Sequence, residues 1–217
     1  MHITPRRLSW RCAALIALLP ALAHASPAAH LSVDGLIRPA ACAITLGDGG
    51  KVPLGTLSRH ELHTDRRTLL PERKLPFQIS CDAPAPLGLA VRDNRSEGVI
   101  PEVSLKDRKF LFGLNRLGDK AVGSYTLYVE DDDLHVDGQP GRVIHVEEDS
   151  AWMAHGHFLS PLRLHAVAQA GHANLPAVAS AINGTIAVSV SIVPARDLPR
   201  EDDIPLEGSA TFELQYL

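Results

Sequence analysis

The sequence predicts an all-β sandwich, and three observations support that fold class. Apolar and polar residues alternate in short runs, as in strands that bury one face. The clearest run closes the chain, and one face of it carries Ala210, Phe212, Leu214 and Tyr216. Turn-forming pairs such as Asp137-Gly138 separate the runs, and helical periodicity is nearly absent. We therefore expect many short strands joined by turns.

The first 25 residues have the pattern of a secretory signal peptide. Arg6, Arg7 and Arg11 precede an apolar run at residues 12–22, and Ala-His-Ala at residues 23–25 is a small-x-small cleavage site. The apolar run is too short to span a bilayer as a helix, and a retained membrane anchor is the alternative. We expect an exported mature chain that does not insert into the membrane.

Charge argues against two classes of partner. The chain carries 25 acidic and 21 basic side chains, and loss of the three signal-peptide arginines takes the net charge from −4 to −7. An acidic chain without a basic cluster does not favour nucleic acid or anionic lipid as a partner. The 192 residues that follow the signal peptide are predicted to form one domain.

Two cysteines, Cys42 and Cys81, remain in the mature chain because Cys12 leaves with the signal peptide. An even count in an oxidising compartment predicts one disulfide. Closing a loop of about 40 residues would stabilise the fold by about 4 kcal/mol on the chain-entropy estimate. A redox or metal site would need a close Cys-x-x-Cys pair or nearby ligands, and the sequence has neither.

The predicted strands follow in chain order at residues 31–37, 75–81, 87–91, 125–129, 186–192 and 210–216. Clusters of Gly, Pro, Asn and Asp predict turns at residues 47–50, 82–86, 93–94, 137–138 and 183–184. Residues 57–73 are charged and are predicted to form an exposed loop, with a short helical turn as the alternative. Residues 130–174 are predicted to be long surface connections flanking two or three edge strands.

Both ends of the mature chain carry apolar strand faces. A terminus is an unusual place for so much apolar surface, so the last strand is expected to dock against something. Near the other end, one strand face presents Leu31, Val33, Gly35 and Ile37, and this segment could pair with the edge of a neighbouring subunit. Gly35 would mark a close backbone approach. The alternation alone somewhat favours the alternative, in which both segments are ordinary strands of a complete sandwich.

Several segments resemble the subunits of chaperone–usher fimbriae. They are residues 31–42, 52–56, 75–82 and 208–217, and the penultimate Tyr216 matches the C-terminal motif of that family. Residues 112–115 and 122–127 resemble more particularly a family of exported fimbrial-like bacterial proteins of unknown function. The sequence departs from the fimbrial pattern at one point, because Ile204 stands near the place of a family glycine. The mature chain is also longer than a typical shaft subunit.

The resemblance implies an incomplete immunoglobulin-like (pilin-type) sandwich in residues 39–217 and a donor-strand extension in residues 26–38. A periplasmic chaperone would first supply the missing strand, and the next fimbrial subunit would replace it at the outer-membrane usher. The residues that the resemblance assigns are the disulfide pair Cys42 and Cys81, the donor face Leu31, Val33, Gly35 and Ile37, and the chaperone-pairing strand face Phe212, Leu214 and Tyr216. The implied protein is structural, and it passes through the periplasm to a fimbrium or the cell surface.

Rival functions find less support in the sequence. His155 and His157 would share a strand face and could bind zinc, copper or nickel, but no third ligand stands at a recognised spacing, and no cofactor is expected. No nucleophile elbow, phosphate-binding loop or His-Glu-x-x-His motif supports an enzyme. The alternatives are a single-domain carbohydrate-binding adhesin or tip adapter, with Trp152 as its aromatic platform, and a self-complemented monomeric periplasmic binding protein.

Overall fold

The computed structural model describes residues 31–34, 41–100, 108–147, 150–154, 156–172, 174–199 and 203–217. The predicted signal peptide, residues 1–25, lies outside the described residues. Residues 38–217 form one compact unit. The predicted all-β fold is confirmed, because the chain folds as a β-sandwich of the immunoglobulin-like class.

Twelve strands are present in the part of the chain that the structure describes. They are β1 Cys42–Leu46, β2 Thr68–Leu69, β3 Arg73–Asp93, β4 Phe112–Gly113, β5 Arg116–Leu117, β6 Lys120–Ala121, β7 Gly123–Val129, β8 His135–Val136, β9 Gln139–Val146, β10 Leu164–Gln169, β11 Val178–Ile192 and β12 Ala210–Tyr216. Short 3-10 turns connect several of them, at Gly47–Gly50, Arg59–Glu61, Ser96–Gly98, Asp131–Asp133 and Ala195–Asp197.

The strand β3 connects the two layers of the sandwich. Its first half pairs antiparallel with β1 and β11, and its second half pairs with β10 and β12. The prediction of two strands separated by a turn at residues 82–86 is wrong, because β3 runs through that stretch. Pro84 and Pro86 lack an N–H group, and they lie between the end of the β1 pairing at Cys81 and the start of the β12 pairing at Leu87. Only β11 accompanies β3 here, and its register shifts just before this stretch.

The core lies between the two layers and is formed by the alternating apolar residues. β3 contributes Leu75, Phe77 and Ile79 and, on the same face further along, Leu89 and Val91. The remaining walls come mainly from β7 and β11, whose inward residues include Leu127, Val129, Ile186, Val188, Val190 and Ile192. Burying a side chain of this size stabilises the fold by about 1.5–3 kcal/mol.

Three of the predicted turns are confirmed and one further prediction is wrong. Asp48, Gly49 and Gly50 have positive φ after β1, β3 ends at Asp93, and Asp137 and Gly138 form a tight hairpin turn between β8 and β9. Residues 183–184 do not form a turn, because they lie inside β11. A Cβ at Gly184 would lie 2.8 Å from the ring of Phe77, so this glycine permits close packing.

The two stretches without alternation contain more structure than the sequence indicates. Most of residues 57–73 is irregular, as expected, but Arg59–Glu61 forms a 3-10 turn that Ser58 and Glu61 cap reciprocally. Residues 130–174 contain β8, β9 and β10. Ile144, Ala166 and Ala168 in these strands are buried beneath Trp152, so this stretch is part of the sandwich and not only a set of surface connections.

Candidate functional site

A groove with an apolar floor and a partly polar rim opens between the first and last strands of the domain. β1 lies at the edge of one layer and β12 at the edge of the other, and the gap between them has a volume of about 520 Å³. Its floor consists of core side chains, which are Leu75, Leu114, Tyr125, Leu127, Ile186, Val188 and Val190. On the β12 side the wall is formed by Leu206, Ala210 and Phe212. The floor side chains are themselves buried, each 7% exposed or less, so the groove reaches down to the core without laying it open to solvent.

The opposite wall comes from β1 and the chain that follows it. Leu46, Val52 and Leu54 line this side of the groove. Val52 and Leu54 also line a second depression of about 790 Å³, which they share with Leu206 and which continues to Leu62 and Ile204. These residues carry no sequence motif that predicts a role. Their signal was the alternation of Val52 and Leu54 about Pro53, which is too short a run to indicate a groove wall by itself.

Both strands beside the groove turn backbone groups towards it. In β12, the hydrogen bonds from Asn94 N–H to Ser209 O and from Leu217 N–H to Pro86 O fix the alternation of the ladder. Residues 210, 212, 214 and 216 are therefore non-hydrogen-bonded pairs with β3, and their N–H and C=O groups point away from it. The bond from Asp82 N–H to Ala41 O gives the same result for residues 42, 44 and 46 of β1. Within the described residues, β3 is the only strand that pairs with β1 or with β12.

The three predicted residues of the last strand take different positions. Phe212 lines the open groove. Leu214 instead lines a small internal cavity beside His165. Tyr216 is 56% exposed, and its hydroxyl oxygen accepts a hydrogen bond of 2.9 Å from the N–H of Cys42. The strand face is thus apolar as predicted, but the tyrosine reaches from the end of β12 to the start of β1.

Gly208 lies at the entrance to β12, where the chain approaches the groove floor. A Cβ there would lie 2.7 Å from the ring of Tyr125 and 3.2 Å from Leu114, and the backbone bridges to Leu114. Only glycine permits this approach without displacing the ring. The departure from the fimbrial pattern at Ile204 places an isoleucine in the second depression. Gly208 thus lies in the wall of the groove between β1 and β12, whereas Ile204 lines the second depression.

Charged groups at the groove lie near its rim. Arg95 and Glu207 form an ion pair of 2.9 Å at the β12 side. Next to them, Asp93 accepts hydrogen bonds from the N–H groups of Gly113 and Arg95, although burial raises the pKa of its carboxyl above the ordinary value. Burial also raises the pKa of Tyr125 in the floor, so its phenol is neutral at physiological pH. A groove with a neutral floor and a charged rim suits an apolar, uncharged strand face.

The predicted donor face falls only partly within the described residues. Leu31 and Val33 are 90% and 87% exposed, and no strand is assigned to residues 31–34. Gly35 and Ile37 lie outside the described residues. Their assignment as a donor face remains a prediction.

The predicted disulfide is confirmed. Cys42 and Cys81 are bonded, with a Cα–Cα distance of 4.1 Å, and they link the start of β1 to β3. The bridge lies at the same end of the groove as Tyr216. It fixes β1 to β3 where the two layers meet.

The histidines considered as metal ligands have other surroundings. His157 is exposed, and its Nδ1 atom is hydrogen-bonded to the carboxylate of Asp131. His155 lies outside the described residues. Across the ranges that the structure describes, no group of three or more His, Cys, Asp or Glu side chains could hold a metal ion.

Aromatic residues form one other surface feature. Trp152, the platform considered for a sugar, is half-buried over Ile144 and its neighbours. The rings of Phe110, Tyr128 and Phe158 contact one another, with Phe158 at the centre and centroid distances of 5.8 and 5.7 Å. Phe158 is 44% exposed. The rings are tilted by 45° and 55°, so they do not form a flat platform.

Together, the fold and the groove define a class: an immunoglobulin-like β-sandwich, closed by one disulfide, with an open apolar groove between its first and last strands. Residues 31–123 match a family described as a protein of unknown function (DUF1120). The chain is also similar to the uncharacterized protein YhcF of Escherichia coli (strain K12), with 22% identity over 224 residues that cover 90% of this chain and 93% of YhcF. In the described part of the chain, no helix is long and apolar enough to cross a membrane.

Proposed function

We propose that this protein is an exported structural subunit of a fimbria or fimbria-like surface fibre, assembled by insertion of an N-terminal strand into the groove of a neighbouring subunit. The observation that carries the proposal is the open groove between β1 and β12. An ordinary sandwich covers its core with strands of its own chain. Here core side chains such as Leu127 and Val188 line an open depression, and both flanking strands offer backbone groups to a further strand.

The N-terminal segment has the chemistry that the groove requires. Its four alternating residues, Leu31, Val33, Gly35 and Ile37, form one apolar face, and strand addition joins main-chain hydrogen bonds to pockets that accept alternate side chains. Three of these residues have apolar side chains, and each would contribute about 1.5–3 kcal/mol on full burial. Self-insertion and insertion into a second copy use the same contacts, so an experiment must separate them.

Partners follow from the same geometry. Before assembly the outer backbone edges of β1 and β12 would remain unpaired, and unpaired strand edges favour aggregation. A periplasmic chaperone that lends a strand, and an outer-membrane usher at which subunits exchange strands, would protect it during export. The disulfide supports an oxidising compartment such as the periplasm.

The test is thermal melting of a mature variant that lacks residues 26–38, with and without a synthetic peptide of those residues. A peptide present at 100 times its dissociation constant should stabilise the domain by about 2.7 kcal/mol, which raises the melting temperature by roughly 5–10 °C for a domain of this size. If the truncated domain is unfolded alone, folding on addition of the peptide is the same result. A stable truncated domain whose melting temperature does not change when the peptide is added would contradict the proposal.

Two variants in the same strand locate the effect. Phe212→Asp places a charge on the groove wall and should abolish stabilisation by the peptide and capture by a chaperone. Gln215→Asp places the same charge on an exposed position of β12 and should leave both unchanged. Equal loss in the two variants would show that charge, and not the groove, is responsible.

A carbohydrate-binding adhesin is the second candidate, and one observation favours it. The partly exposed Phe158 and its neighbour Tyr128 form an apolar surface beside Glu72, whose carboxylate accepts a hydrogen bond from the Tyr128 hydroxyl. Glycan-array binding that is lost in Phe158→Ala would favour this function. Binding unaffected by that change would exclude this surface as a sugar site.

A further inference from the structure

Tyr216 lies where the two edges of the groove come together. Its ring extends from the last residue of β12 to the first residue of β1, and its hydroxyl accepts the hydrogen bond from Cys42 N–H. At the other end, near Leu206, the groove continues into the second depression. The groove is therefore open at the Leu206 end and bridged at the Tyr216 end.

The N–H group held by Tyr216 belongs to the backbone edge that a further strand would use. Cys42 and Cys81 form a non-hydrogen-bonded pair with a Cα–Cα distance of 4.1 Å, so the N–H of Cys42 points away from β3. Ile44 and Leu46 follow with the same orientation. A strand added along β1 would bond to these groups in turn, and Cys42 is the last one it would reach.

We infer that the Tyr216 hydroxyl acts as a stop for the inserted strand, because it occupies the final backbone donor of the groove and must be displaced for a strand to fill the groove completely. This inference rests on the proposed strand insertion and assigns a particular residue to its limit. A short strand would seat in the open part beside Phe212 and leave the bond intact. A longer strand would reach Cys42 only by breaking it.

Removal of the hydroxyl tests this directly. Tyr216→Phe retains the ring but leaves the Cys42 amide without its acceptor. Tyr128→Phe is a matched control, since it removes a hydroxyl bonded to Glu72 elsewhere in the domain. All three proteins carry Val33→Asp, which is expected to keep the chain's own strand out of the groove. Without peptide, hydrogen exchange at the Cys42 amide should be slow when Tyr216 is intact, with or without Tyr128→Phe, and faster in Tyr216→Phe.

Peptide binding to the same three proteins, all in the Val33→Asp background, tests the effect on insertion. A peptide of residues 26–38 should bind Tyr216→Phe about two- to tenfold more tightly than the protein with Tyr216 intact, which corresponds to one net hydrogen bond no longer broken on binding. A shorter peptide of residues 31–37 should bind all three proteins equally.

The outcomes separate this inference from the proposed function. Equal Cys42 exchange in the protein with Tyr216 intact and in Tyr216→Phe, or an equal change in affinity for both peptides, would overturn the stop and leave strand insertion standing. If neither peptide binds the Val33→Asp protein with Tyr216 intact, strand insertion is overturned and the stop with it, even if the amide data show the hydrogen bond. A gain restricted to the long peptide, together with faster Cys42 exchange, is the result expected.

Discussion

His165 is a core histidine whose burial makes stability depend on pH. It is 2% exposed; its Nε2 accepts a hydrogen bond from Ser160 N–H, while Nδ1 is buried without a hydrogen-bond partner among the described residues. Burial, with smaller contributions from His145 and Arg163, lowers its pKa from 6.5 to about 4, although the Ser160 carbonyl oxygen, 3.2 Å from Nε2, opposes the shift because it favours a proton on that nitrogen. The folded domain therefore keeps this imidazole neutral in the range where the unfolded chain protonates it.

We predict that stability falls as pH decreases from about 6.5 to about 4, by about 3 kcal/mol from this residue. The sign follows because the unfolded chain binds the proton at the higher pH. Urea unfolding across this range would measure the slope, and His165→Gln should flatten it. The exposed His172→Gln is the control and should leave the slope unchanged. The same slope in His165→Gln would assign the pH dependence to other groups.

The disulfide offers a second prediction at the residue scale. Its cysteines are 39 residues apart in sequence, so a Cys42→Ser, Cys81→Ser double variant should lose about 4 kcal/mol of stability on the chain-entropy estimate. Unfolding by denaturant, compared with the reduced wild type, provides the measurement. Midpoints that do not differ between oxidised protein, reduced protein and variant would show that the bridge does not stabilise the domain.

Gly184 lies inside β11 and permits close packing there, although the pair Asn183-Gly184 is typical of a turn. A Cβ at this position would lie 2.8 Å from the Phe77 ring and 3.1 Å from Leu134, and both neighbours are buried. Gly184→Ala should therefore destabilise the domain by about 1–3 kcal/mol through overpacking. Asn183→Ala alters an exposed position next to it and should change stability by less than about 0.5 kcal/mol. Melting curves that rank the two variants in the opposite order would refute the packing explanation.

This glycine also shows where sequence reasoning about elements succeeds and fails. The alternating faces of β3, β7, β11 and β12 could be predicted because burial of one strand face follows directly from period-two alternation. Gly184 and the Pro84–Pro86 stretch predict turns, and the prediction is wrong because the same residue types serve turns, close packing and unpaired strand edges. Which role applies depends on neighbours distant in sequence, such as Phe77 for Gly184.

The candidate site was predictable in part for the same reason. Alternation identified the apolar face of β12, and the cysteine count identified the disulfide. Neither the alternation nor the cysteine count could locate the groove wall on the β1 side. Val52 and Leu54 lie in an irregular segment, and they form this wall only because β1 pairs with β3. Nor could alternation separate Tyr216 from Phe212, because both occupy one strand face and only the position of Cys42 gives the tyrosine a different contact.

For the whole molecule, the proposed strand insertion requires a donor segment and an acceptor groove on the same chain. When such surfaces are joined between different copies, each subunit keeps one free groove and one free strand, so assembly does not close and grows as a fibre. When they are joined within one chain, the product is a monomer. The mass of the purified mature protein therefore distinguishes the proposed subunit from a self-complemented monomer.

We predict that mature protein, residues 26–217, forms oligomers whose mean mass rises with concentration, as measured by light scattering after size-exclusion chromatography. Val33→Asp should keep it monomeric, because a charge would enter the apolar groove without a partner. Ser32→Asp carries the same charge on the opposite strand face and should assemble like the wild type. A monomeric wild type whose melting temperature falls in Val33→Asp but not in Ser32→Asp would indicate that the strand inserts into its own groove. A monomer whose melting temperature is unchanged in both variants would mean that residues 31–37 do not enter the groove at all.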